Sequence, residues 1–91
     1  MLRWFASLGR KKYTLIEQQD ALSACRQALV ISNLRYNDYK SACQRLTEAQ
    51  EKGLDEQACM VYRHSVMSTK RRYDDAYEVY QEKHKHFKTM V

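Results

Sequence analysis

Proline is absent from this chain of 91 residues and glycine occurs only twice, at Gly9 and Gly53. The first absence removes the residue that most reliably breaks helices, and the second leaves few points where the backbone turns at no steric cost. Gly-rich phosphate loops and nucleophile elbows are excluded with them. No stretch approaches the roughly 20 consecutive apolar residues of a membrane span. The three cysteines have no Cys-x-x-Cys spacing, and His84 and His86 stand two apart, on different faces of a helix. A nucleophilic dyad, a carboxylate pair in a cleft and a metal site are therefore not expected, nor is any cofactor, and the chain reads as non-enzymatic.

What the chain does have is a heptad pattern on both sides of Gly53. Before it, Leu15, Gln18, Leu22, Cys25, Leu29, Ser32, Tyr36, Tyr39, Cys43, Leu46 and Gln50 occupy a/d spacing; after it, Cys59, Tyr62, Val66, Thr69, Tyr73, Ala76, Tyr80, Lys83, Phe87 and Met90 do the same. Most of these residues are apolar or aromatic. The pattern predicts an all-α fold, a long antiparallel helical hairpin of coiled-coil type that completes a helical bundle with another subunit or partner. Apolar residues make up 44% and charged residues 30%, a balance that favours a folded chain over a disordered one.

Two units follow: an amphipathic basic segment, 1–13, and a hairpin, 14–91, with helices over 14–52 and 55–88 and a turn at 53–54. Thr14 with Glu17 matches a capping box, Gly53 suits the left-handed position after a helix, and Asp55 caps the second helix with Leu54 placed to staple onto Cys59. Each helix is about 50–57 Å long at 1.5 Å per residue, so the two fold back with little overhang. With the turn centred on 53–54, Cys43 lies near His64, Tyr36 near Arg71 and Leu22 near Lys85. Cys25, Cys43 and Cys59 on the seam read as reduced, metal-free thiols, and hence a reducing, cytoplasmic compartment. The histidines His64, His84 and His86 fall off the seam. Most tyrosines lie on or beside it, where a flat ring packs while its hydroxyl stays wet.

Several residues have no place in a lone hairpin. Val30, Ile31 and Leu34 lie off the seam of the first helix, and Met60, Val61 and Met67 off that of the second; they read as docking surface. Ala21, Ala28, Ala42 and Ala49 recur one position before the a sites and widen the stripe toward close helix approach.

Residues 1–13 group Leu2, Trp4, Phe5 and Leu8 with Arg3, Arg10, Lys11 and Lys12 and no acid, suiting a plug into a partner or an anchor on anionic lipid. A basic, acid-free start also resembles organelle-transit composition, but we expect the segment to be retained. The formal net charge of +5 concentrates at the open end of the hairpin, while Glu48, Glu51, Asp55 and Glu56 make the turn acidic. Lys70, Arg71, Arg72, Lys83, Lys85 and Lys88 are candidate anion contacts, weakened by the interspersed Asp74, Asp75, Glu78 and Glu82. The reading is a non-catalytic protein-interaction module: a small helical subunit, chaperone, adaptor or inhibitor docking on a larger assembly, through helix faces or as a homo-oligomer. A nucleic-acid-binding hairpin and a peripheral membrane adaptor anchored by residues 1–13 are the alternatives.

Overall fold

A computed structural model describes residues 13–91 of the chain. Two helices, α1 (Leu15–Glu51) and α2 (Glu56–Met90), pack side by side as an antiparallel hairpin. None of the described helices is long and apolar enough to cross a membrane.

The ends of the helices have the chemistry that their residues suggest. Thr14 is extended and its hydroxyl accepts from the Glu17 amide at 3.1 Å, satisfying one of the free amides of the first turn. Asp55 does the same for α2, its carboxylate accepting from the Ala58 amide at 2.8 Å. Gly53 has φ +73°, the left-handed conformation that ends α1. Its amide donates to the Gln50 carbonyl at 3.0 Å, and the Leu54 amide donates to the Ala49 carbonyl at 3.1 Å. Together these two bonds form a Schellman motif, which satisfies carbonyls that would otherwise end the helix unpaired. The expected apolar staple takes another form: the Cys59 thiol donates to the Leu54 carbonyl at 3.6 Å, and the Leu54 side chain stays exposed.

The register follows from contacts far apart in sequence. Gln18 Nε2 donates to the Met90 carbonyl at 3.2 Å at the open end, and the rings of Tyr36 and Tyr73 lie 5.2 Å apart near the middle. Tyr36 thus meets Tyr73 rather than Arg71, and the pairing is shifted by one residue at Gln18 and two at Tyr36 from the expected one.

The seam of α2 lies where the heptad placed it, from buried Cys59 through half-buried Tyr62, Val66, Thr69, Tyr73, Ala76, Tyr80, Phe87 and Met90. One position moves. Lys83 is exposed and His84 takes its place, half-buried with its ring 5.7 Å from that of Tyr80, so His84 lies on the seam after all. The seam of α1 is rotated. Its d positions Cys25 and Ser32 are buried as expected, but the a positions belong to Ala28, Ala42 and Ala49, while Leu29 and Tyr36 are 39% and 40% exposed. The physical reason is size: alanine, serine and cysteine let the two backbones approach, and the larger side chains then flank the contact rather than fill it. This packing is close but thin, since no large side chain among the described residues is fully buried.

Candidate functional site

On one side of the seam the two helices leave an open groove of about 440 Å³. Its floor is Ala24, Ala28 and Ala76, and its walls are Gln27 and Ile31 from α1 and Val79 and Lys83 from α2. The alanines that bring the helices together also make the floor low, because their side chains end at the Cβ. The groove continues toward the open end through a recess that shares Ala24 and Lys83 and adds Glu17, Asp20, Ala21, His86 and Met90. Outward from it, Ser23, Arg26, Gln27, Val30 and Ile31 line a second shallow recess.

The apolar members of this surface are open to solvent: Val30 is 58% exposed, Ile31 49%, Leu34 57% and Val79 47%. Helical spacing explains their alignment. Asp20, Ala24, Gln27, Ile31, Leu34 and Asp38 follow one another by three or four residues along one stripe of α1, and Arg72, Ala76, Val79 and Lys83 do so on α2. The apolar centre is therefore bordered on α1 by Asp20 and by Asp38 with its partner Arg35, and on α2 by Arg72 and Lys83. Val79 was not among the candidates read from sequence, yet its spacing from Ala76 was the available signal.

Comparisons with family models, curated proteins and solved structures give no match to this chain. The groove is thus interpreted on its own chemistry.

The remaining candidates are placed apart from it. Met60, Val61 and Met67 are exposed, but the hairpin register puts them about 15–25 Å along the axis from the level of Ile31, toward the turn. Val61 follows Met60 directly and so points about 100° away around the helix, and the three do not form one patch with Val30, Ile31 and Leu34. Met67 instead borders a small recess with His64, Ser68 and Arg71. Lys70, Arg71 and Arg72 are consecutive and fan out around α2 in the same way; Lys83 enters the groove, while Lys85 and Lys88 are exposed nearer the end. Trp4, Phe5 and Leu8 lie outside the described residues.

On the opposite side of the seam the rings of Tyr36, Tyr73, Tyr77, Tyr80 and His84 form a continuous ladder, with steps of 5.2, 5.9, 6.1 and 5.7 Å. Lys40 Nζ lies 5.6 Å from the Tyr36 ring centroid. Tilted ring pairs at these distances add packing energy beyond the area they bury. Only the Tyr36–Tyr73 step crosses between the helices; the other three run along α2, and Tyr36 and Tyr77 stay exposed. Tyr39, one turn before Cys43, has its phenol pKa raised, chiefly by the Cys43 side chain beside it. The three cysteines are free, and among the described residues no three His, Cys, Asp or Glu side chains converge as metal ligands.

Proposed function

We propose that this protein is a non-catalytic interaction module that docks through the groove between α1 and α2, taking up a helical surface of its partner. The observation that carries this reading is the pairing of a thin seam with an exposed apolar stripe. The hairpin buries only small side chains fully, and leaves Ile31 and Val79 wet around an alanine floor with Leu34 exposed one turn along α1. Burying such side chains stabilises by about 1.5–3 kcal/mol each, so a second helical surface laid on the groove supplies what the isolated hairpin lacks.

A photo-reactive amino acid placed at Ile31 tests this in the native host. Asn37, exposed and about two and a half turns beyond buried Ala28, serves as the control because it faces away from the seam. The expected result is a discrete covalent adduct from position 31 and none from position 37. Equal, diffuse labelling from both positions would remove the groove as a docking site.

A further inference from the structure

On the reading that the groove docks, we infer that its occupant is a second copy of this chain, packed groove to groove with both turns at the same end. The argument is charge complementarity. Gln18 meets Met90 and Tyr36 meets Tyr73, and to within a residue this register puts Ile31 level with Tyr77, Asp20 with Lys88 and Asp38 with Lys70. Asp20 and Asp38 therefore bracket the apolar stretch of α1, and Lys83 and Arg72 bracket that of α2. Among the described residues Asp20, Lys83 and Arg72 make no ion pair, and Asp38 has only Arg35 of its own helix at 3.7 Å.

Two closed two-fold arrangements lay groove on groove. With the axis along the hairpin, α1 of one copy covers α2 of the other at the same level. Ile31 then lies between the levels of Ala76 and Val79 of the second copy, and Leu34 about 3 Å beyond that of Ala76. Asp38, paired with Arg35 of its own helix, comes within about 3 Å along the axis of the Arg72 position, and Asp20 within about 8 Å of the Lys83 position, a gap that an extended lysine spans. With the axis across the hairpin, α1 covers α1 and α2 covers α2 in opposite directions. Centred on the level of Ile31, that arrangement brings Lys83 within about 2 Å along the axis of Arg72 and Asp20 within about 6 Å of Asp38, and like charges in an interface disfavour it. The same apolar centre is satisfied both ways, so the charges select the arrangement with the turns together.

Sedimentation equilibrium of the full chain at micromolar concentration, combined with a genetically encoded spin label at exposed Gln57 beside the turn, tests the inference. A dimer is expected, with label-to-label distances within about 30 Å, as neighbouring helices of one bundle require. Turns at opposite ends would give about 60 Å instead. Lys83→Glu should weaken dimerisation about tenfold or more, and Asp20→Lys combined with Lys83→Glu should restore it. Helicity is checked by circular dichroism, and both positions are exposed, so the hairpin itself should persist. A dimer with the long distance, or one indifferent to Lys83→Glu, would overturn the inference. So would a monomer. A monomer that still gives a position-31 adduct of a mass other than twice the chain leaves the docking reading standing without self-association, and a monomer with no such adduct removes both.

Discussion

At the residue scale the fold depends on what is small. Ala42 is 2% exposed and faces the neighbouring helix, so Ala42→Leu should force the backbones apart and cost about 1–3 kcal/mol in urea unfolding. Leu29→Ala, at a position 39% exposed, should cost less than Ala42→Leu under the same conditions; the reverse order would return Leu29 to the seam. The charged pair at the start of α2 makes a second prediction. Arg63 donates to Glu56 through both terminal nitrogens, at 2.7 and 3.3 Å, and the Glu56 carboxyl is held below the ordinary glutamate range, first by that hydrogen bond and then by the guanidinium charge. A lowered folded-state pKa means that the stabilisation is present above the unfolded value and is lost as pH falls through the folded one. Both groups are exposed, so the effect on stability is small. Carboxyl NMR should show Glu56 titrating at lower pH than an ordinary glutamate, and returning to the ordinary range in Arg63→Gln.

At the scale of the elements, the turn is the most specified part of the chain. Gly53 has φ +73° with open space around the site of a Cβ, so Gly53→Ala meets no clash and its cost is that of the backbone alone, about 1–2 kcal/mol. Gly53→Asn should cost less, since asparagine tolerates this conformation, and urea unfolding of the two variants checks the order. These local features were legible in sequence because capping and left-handed glycine act within a few residues: Thr14, Gly53 and Asp55 do what their types suggest. The α2 seam was legible for a similar reason, its tyrosines standing at strict heptad spacing. The α1 seam was only half legible. A hydropathy pattern ranks Leu29 above Ala28, whereas close antiparallel packing favours the smaller side chain, and that preference depends on the facing helix. Val30, Ile31 and Leu34 could be recognised as off the seam, but their partnership with Val79 and Lys83 needed the register between helices, which no local signal contains. The same limit explains why Met60, Val61 and Met67 were grouped with them: hydropathy marks exposure, not distance along the hairpin.

At the scale of the whole molecule, the hairpin has two unlike flanks. One carries the ring ladder from Tyr36 to His84, bridged between the helices at Tyr36 and Tyr73; the other is an alanine-floored groove with Asp20 and Lys83 at its borders. That asymmetry is why docking is assigned to one flank rather than to exposed hydrophobes in general. The most direct test is hydroxyl-radical footprinting of the protein in its native extract against the isolated chain at high dilution. The account predicts that Ile31, Leu34 and Val79 are protected in the extract while Met60 and Met67 react equally in both. Equal reactivity of Ile31 and Val79 in the two samples, or protection confined to Met60 and Met67, would contradict it.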